Sequence, residues 1–255
     1  MIEKILPREV IEIFKLLPKG AFKVVSMPKI LSLTKQVVQN YLRKDLIKLE
    51  KMQFEGVQLV AQKKDFNLNL DLNDLEVEDK KTLGEKVLEI YFKQLFNQDF
   101  VSLDLRLIHF SFDSKEKKTI WKPSHLSIQF ENEFRSGLCE LYQGYFEHNE
   151  ELIHQGLRKI ELVVSPQDLN QTIKMKDLLF SHFKEAREGE EIEFKLNEFL
   201  ATFQKVFELM IDQNIQMNPQ FAFLGVYLIA LYHNLSHLGV SLNVKKCYQR
   251  SLNML

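Results

Sequence analysis

The chain has little glycine, proline or cysteine: nine, six and two residues among 255. Its cysteines, Cys139 and Cys247, lie far apart in helical patterns, so we expect reduced thiols in place of a disulfide framework. The first residues lack a signal-peptide pattern, and no run reaches the roughly 20 apolar residues that a membrane-crossing helix needs. These absences predict a soluble protein of a reducing, cytoplasmic compartment.

Neither sign of charge is in excess, because 34 Lys and Arg stand against 35 Asp and Glu. A chain without a large net charge has no global field that draws it to nucleic acid or to an anionic membrane, so any such binding has to be local. Aliphatic and aromatic residues are abundant instead, with 45% hydrophobic residues and 20 Phe. That content can bury a substantial core in one large domain or two small ones.

The sequence of residues 1–80 predicts a small α+β region in which short helices precede a hairpin, either a winged-helix domain or a rebuilt remnant of a kinase N-terminal lobe. Thr34 has the side chain and position of an N-cap, which would separate two of these helices. The predicted elements, in order, are helices at 7–17, 27–33 and from Thr34 to about Met52, strands at 57–61 and 66–70, and an acidic linker at 71–80.

Residues 81–255 predict a mainly α-helical domain with a small β component. The β component is a hairpin, in which 107–112 and 119–121 flank a charged turn. The run FAFLGVYLIALY is apolar on every face, so we expect a central helix there, too short to cross a membrane. The predicted helices span 82–98, 131–147, 149–162, 168–186, 193–213, 219–238 and 244–255.

An ordered series of segments runs from residue 84 to residue 255. A helix leads through NQDF into SLDLRLIHFSF, the turn DSKEKK precedes TIW and KPSHLSIQF, and ENEFRSGLCELYQGYF opens the next helix. This order and spacing resemble the C-terminal lobe of the AarF/UbiB atypical protein-kinase-like family. In members of that family, a helix leads to a catalytic loop H-A-D-P-H-P-G-N, which is followed by a hairpin, by D-F-G and then by a further helix. The segment PQFAFLGVYLIALYHNLSHLGVSLN is similar to the family's closing helix.

The residues that would perform the family's chemistry are mostly replaced. Aligned on the resemblance, Ser102 stands for the loop histidine, Asp104 keeps the aspartate, and His109 replaces the metal-binding asparagine. The D-F-G position holds Pro, Ser and His, ending at His125. Phosphoryl transfer needs carboxylate and amide oxygens that hold Mg²⁺, so the resemblance implies an inactive protein without metal or cofactor. We expect Asp104 to be a solvated or capping carboxylate.

The first 83 residues contain no glycine-rich phosphate loop and no V-A-I-K-like strand. We therefore interpret the chain as an inactive kinase-like protein that acts as a binding or scaffold module for a protein partner. The resemblance adds a link to isoprenoid lipid or quinone metabolism and a peripheral contact with membrane or isoprenoid lipid. Nucleic acid is not an expected partner.

An alternative interpretation is a winged helix-turn-helix regulator with a helical ligand-binding or dimerisation domain. Two short helices, then the helix from Thr34 and a hairpin, are typical of that motif, and the helix from Thr34 would enter the major groove of DNA. Near neutrality of the chain counts against it, because DNA binding usually needs several phosphate contacts. The candidate DNA-contacting residues are Lys35, Gln36, Gln39, Asn40 and Arg43.

Two further hypotheses concern histidines. An active enzyme could use Asp104, His109 and His125, although no triad, metal cluster or phosphate loop supports it. His233 and His237, at i and i+4, could share a helix face as metal ligands. No third ligand is evident in the sequence, so we expect these two residues to have a capping or hydrogen-bonding role.

Overall fold

The computed structural model describes residues 11, 15, 21–43, 54–60, 71–163, 169–181 and 184–252. There the protein is mainly α-helical with small sheets of two or three strands, as predicted. The helices are α1 Ala21–Val24, α2 Met27–Arg43, α3 Val77–Asn97, α4 Asn132–Phe146, α5 Glu150–Lys159, α6 Leu169–Phe180, α7 Lys184–Glu188, α8 Leu196–Asp212, α9 Pro219–Leu238 and α10 Val244–Leu252. The strands are β1 Val57–Leu59, β2 Val101–Ser102, β3 Phe110–Asp113, β4 Lys118–Trp121, β5 Ser127–Ile128, β6 Ile192–Glu193 and β7 Ser241–Leu242.

Helix α9 runs through the core, as the apolar run in the sequence predicts. The Asn218 side chain caps its start by accepting from the Gln220 N–H, and Pro219 follows at the first helical position, where no hydrogen bond is lost. Gly239 ends it in the left-handed conformation, with φ of 62°. The shielded side chains include Phe223, Val226, Tyr227, Ala230 and Leu231.

Among the described residues, α9 is the one helix long and apolar enough to cross a membrane. Its 20 residues meet the length requirement, so the expectation that this segment is too short is wrong. However, 78% of its most apolar stretch is buried inside the protein. Burial by surrounding helices is the pattern of a core helix in a globular domain.

The predicted hairpin is confirmed and carries a third strand from the first part of the chain. Strands β3 and β4 pair antiparallel, with Phe110 opposite Trp121. Strand β1 pairs parallel with β4, with Val57 opposite Thr119, so residues on both sides of the predicted linker share one sheet. The predicted partner strand at 66–70 and most of the predicted helix at 7–17 lie outside the described residues.

Helix α2 is continuous, so the predicted break with an N-cap at Thr34 is wrong. Thr34 lies mid-helix and is buried, in line with the buried residues Ile30 and Val37. These positions recur at helical spacing on one face, and packing of that face against the core favours a continuous helix over a local cap.

Other boundaries shift for local reasons. Helix α3 begins inside the predicted linker 71–80, at Val77, and Glu78 and Asp79 in its first turn complement the helix dipole. The predicted helix 193–213 begins three residues later, because β6 pairs with β7 just before it. The predicted helix 168–186 is divided between α6 and α7.

Candidate functional site

The candidate site is the loop between β2 and β3, residues 103–109, which contains Asp104 and His109, two of the residues that the sequence resemblance selects. Strands β2 and β5 pair antiparallel, with Val101 opposite Ile128, and the Leu103 N–H donates to the Leu126 carbonyl at 2.7 Å. The Asn234 amide on α9 donates to the Leu105 carbonyl at 2.8 Å. The loop is therefore fixed to the central helix and to the strand that follows the hairpin.

Asp104 is the ionic centre of this loop and is 1% exposed. The Arg106 guanidinium makes a two-pronged contact, from Nε to Oδ1 at 2.9 Å and from Nη2 to Oδ2 at 2.7 Å. His109 Nε2 lies 3.0 Å from Oδ2, and the Arg106 backbone N–H also donates to Oδ1. Bidentate, charge-assisted pairs of this kind are among the strongest hydrogen bonds in proteins.

The ion pairs determine the protonation of Asp104. Burial alone would raise the pKa of this carboxyl, but hydrogen bonds from His109 and Arg106 and the positive charges of the two groups hold the pKa well below its usual range. The carboxylate is buried, so the expectation of a solvated group is wrong. Its capping role is limited to the backbone N–H of Arg106.

Ser102, at the position of the family's loop histidine, belongs to a buried polar network. Its hydroxyl donates to the Ser124 carbonyl at 3.0 Å, and its N–H donates to Gln94 Oε1 at 2.8 Å. Gln94 in turn donates to the Tyr227 hydroxyl at 3.0 Å. The network joins α3, β2 and α9, which gives this position a structural role.

Helix α2 lies on the segment 123–128, whose first three residues are those that the sequence resemblance aligns with D-F-G. The Asn40 amide donates to the Ser127 carbonyl at 3.0 Å. The ring of His125 meets Tyr41 edge-on, with centroids 6.5 Å apart. A helix from the first part of the chain thus covers this segment.

The two helix-α9 histidines lie near the loop. The rings of His233 and His237 stack with centroids 4.4 Å apart, and His237 Nδ1 lies 2.6 Å from the His233 carbonyl. Burial lowers the pKa of His233, as do the charges of His237 and Arg106, while Asp104 opposes them. Among the described residues, no group of three or more His, Cys, Asp or Glu side chains is arranged to hold a metal.

The candidate DNA-contacting residues lie on one side of α2 and differ in exposure. Lys35 and Gln39 are exposed, whereas Gln36 and Asn40 are half-buried, and Arg43 is the last residue of the helix. The Asn40 amide is engaged with strand β5. The turn expected before this helix is replaced by continuous helix.

The most important residue that sequence analysis missed is Arg106. The sequence offered one signal for this pair, since Asp104 and Arg106 carry opposite charges two residues apart. An irregular loop, however, has no hydrophobic periodicity that would show which side chains point inward. Asn234 was missed because its role depends on a contact between distant segments. No protein-family model matches the sequence, and no curated protein matches it either.

Proposed function

We propose that the protein is a catalytically inactive, kinase-like module that acts by binding a protein partner. The order of elements supports this proposal: helix α3, strand β2, a loop that contains an aspartate, the β3–β4 hairpin and strand β5. Protein kinases have a catalytic loop H-R-D-L-x-x-x-N, followed in sequence by D-F-G. The present loop keeps the Asp-Leu pair at Asp104 and Leu105 and replaces the histidine and the asparagine.

The observation that carries the proposal is the engagement of Asp104 with Arg106 and His109. In protein kinases this aspartate accepts the proton of the substrate hydroxyl, so it has to face the substrate. Here both carboxylate oxygens contact residues of the same loop, and the side chain is 1% exposed. A carboxylate whose pKa is held so low is also a weak proton acceptor. The geometry therefore favours a structural ion pair.

Two further features favour binding at the surface over chemistry in a cleft. Helix α2 covers the segment 123–128, and that segment contains no carboxylate or amide side chain up to Ile128. The apolar interior around Tyr91, Phe146 and Leu231 leaves a cavity of about 10 Å³. Small-molecule sites usually enclose about 300–1,000 Å³, so this interior does not fit a ligand.

The free thiols and the family resemblance support a cytoplasmic setting. Cys139 and Cys247 are free, and burial raises the pKa of Cys139 to about 11 and that of Cys247 further. Thiols of high pKa are poor nucleophiles and remain reduced most easily in a cytoplasmic environment. The link to isoprenoid quinone metabolism rests on the family resemblance alone.

The test is the melting temperature of the protein with and without ATP and Mg²⁺. We expect no change, since a ligand at 100 times its dissociation constant would add about 2.7 kcal/mol and raise the melting temperature clearly. Asp99→Asn is the matched control for Asp104→Asn, because it makes the same change in an exposed ion pair. Asp99 Oδ1 lies 3.6 Å from Arg135 Nη1. A Mg²⁺-dependent rise that Asp104→Asn abolishes and Asp99→Asn keeps would contradict the proposal.

A further inference from the structure

Two neighbouring residues near the end of helix α9 meet the loop between β2 and β3. The Asn234 side chain donates to the Leu105 carbonyl at 2.8 Å, and Asn234 is fully shielded from solvent. His233, the residue before it, is half-buried, and the charges of Arg106 and Asp104 act on it. The contact between helix and loop therefore contains an imidazole, a group that changes charge near neutral pH.

The two histidines of this helix turn differ in their hydrogen bonds. His237 Nδ1 lies 2.6 Å from the His233 carbonyl oxygen, which can only accept, so Nδ1 carries the hydrogen of that bond. By contrast, the His233 Nδ1 atom is buried and has no hydrogen-bond partner. A neutral imidazole has one nitrogen without a hydrogen, and this atom suits that role. Protonation would instead bury a charged N–H group that has no acceptor, which is unfavourable.

The charges that act on His233 come from both sides of the contact. The ring of His237, on the same helix, stacks on it with centroids 4.4 Å apart, so two imidazolium groups there would repel each other. Arg106, on the loop, adds a permanent positive charge. Among the described residues, Asp104 is the acidic group that opposes them, and its carboxylate is already engaged by Arg106 and His109. Acid therefore adds positive charge to a contact whose carboxylate is in use.

We propose that His233 is a pH-sensitive switch that releases the loop between β2 and β3 from helix α9 in acid. At neutral pH the uncharged ring lets the Asn234 hydrogen bond hold the loop on the helix. In acid, the charge gained by His233 adds to those of His237 and Arg106, and the loop separates from α9. Ile108 is 57% exposed on this loop, so release changes an apolar part of the surface. The switch does not depend on whether the protein binds a partner.

The direction of the pH effect follows from proton binding. Burial, and then the charges of His237 and Arg106, hold the pKa of His233 below the ordinary histidine value of 6.5. The closed loop therefore binds fewer protons than the open loop, and closure weakens as pH falls below that value. A difference of one proton changes the equilibrium between closed and open loop by about tenfold per pH unit. Asp104 titrates in a more acidic range, so the two effects are separable.

The experiment is backbone hydrogen exchange of the full chain, followed by NMR from about pH 7.5 to about pH 5.5. The reporters are the hydrogen-bonded N–H groups of Leu103, Arg106 and His109, with exchange rates corrected for the intrinsic effect of pH. We expect the opening equilibrium of the loop to rise by up to about tenfold per pH unit below about pH 6.5, while helix α4 keeps its protection. In His233→Gln, which cannot gain a proton, loop opening should not change over this range.

His154→Gln is the matched control, because His154 is also a half-buried helical histidine with a buried ring nitrogen that has no hydrogen-bond partner. This variant, on α5, should keep the full effect of pH on the loop. An equal effect of pH in His233→Gln, or its loss in His154→Gln, would overturn the proposal. A parallel fall in the protection of α4 would also overturn it, because the whole molecule would then be opening. So would an NMR titration of the wild-type His233 ring with a midpoint above 6.5.

Discussion

At the scale of single residues, Asp104 shows how a carboxylate is kept in a low-dielectric interior. Removal of a carboxylate from water is unfavourable unless partners compensate for the lost hydration. Arg106 provides two donors in a planar fork, and His109 provides a third contact. The same contacts hold the loop in one conformation, so the charge at this position contributes to loop geometry and to stability together.

We predict that Asp104→Asn lowers the free energy of unfolding by about 3 kcal/mol, because it removes the carboxylate charge that faces the mostly buried Arg106 guanidinium. Denaturant unfolding at neutral pH measures this change. Asp99→Asn, in an exposed pair, should change stability by less than about 1 kcal/mol.

The pH dependence of the stability of Asp104→Asn gives a second test. The pKa of Asp104 is lower in the folded protein than in the unfolded chain, so its stabilising contribution is complete above the unfolded value and is lost as pH falls towards the folded value. The difference in stability between the wild type and Asp104→Asn should therefore shrink below about pH 4. A difference that stays constant down to that acidity would show that the carboxylate charge is not the cause.

At the scale of elements, α4 and α5 form a helical hairpin that depends on close approach. A Cβ atom added at Gly156 would lie 2.6 Å from the Gly137 carbonyl oxygen and 2.7 Å from the Leu141 nitrogen. These neighbours are backbone atoms, which cannot move without separating the helices. The turn is defined by Asn149, whose side chain accepts from the Glu151 and Leu152 N–H groups.

We predict that Gly156→Ala destabilises the protein by about 1–3 kcal/mol, since the overpacking exceeds the roughly 1 kcal/mol that alanine gains in helix propensity. Gly84→Ala in α3 is the matched control, because the added Cβ would meet the flexible end of Leu242. Thermal or denaturant unfolding compares the two variants. Equal stability changes in both would contradict the importance of backbone contact at the α4–α5 crossing.

Elements with strong local signals are those that the sequence predicts well. The apolar periodicity of α3, α4 and α8, the continuous apolar run of α9 and the charged turn of the β3–β4 hairpin depend on neighbours in the chain, and these elements are observed. The parallel pairing of β1 with β4 depends on residues about sixty positions apart, which no local pattern shows. The predicted N-cap at Thr34 was wrong because burial of its helix face outweighs local capping.

The candidate site is predicted less completely than the fold. Asp104 and His109 were selected by position in a resemblance, and the structure brings both together in one ionic cluster. The decisive partner, Arg106, had only its spacing of two residues from Asp104 as a signal, because irregular loops have no period. The supporting amide of Asn234 is distant in sequence and has no local signal. Local patterns therefore give the site's location, and tertiary contacts give its chemistry.

At the scale of the whole molecule, α9 connects the candidate loop to helices from different parts of the chain. Its side chains contact the loop through Asn234, helix α3 through Tyr227 and helix α8 through Tyr232, whose ring stacks on Phe199 at 4.2 Å. Shielding by the surrounding elements explains how a helix apolar all round is accommodated inside this fold. Damage to α9 should therefore unfold the molecule as one unit.

We predict that Leu231→Asp, at a position 2% exposed, lowers the free energy of unfolding by several kcal/mol, because it buries a carboxylate without a partner. Total stabilities are about 5–15 kcal/mol, so the variant should be largely unfolded or insoluble at 37 °C. Ile173→Asp makes the same change at a residue 49% exposed and should remain folded. Circular dichroism and thermal unfolding compare the two variants.

If α9 were instead a membrane-facing helix, Leu231→Asp would stay soluble and cooperatively folded and would lose only its affinity for vesicles. The core position of α9 would then have to be abandoned.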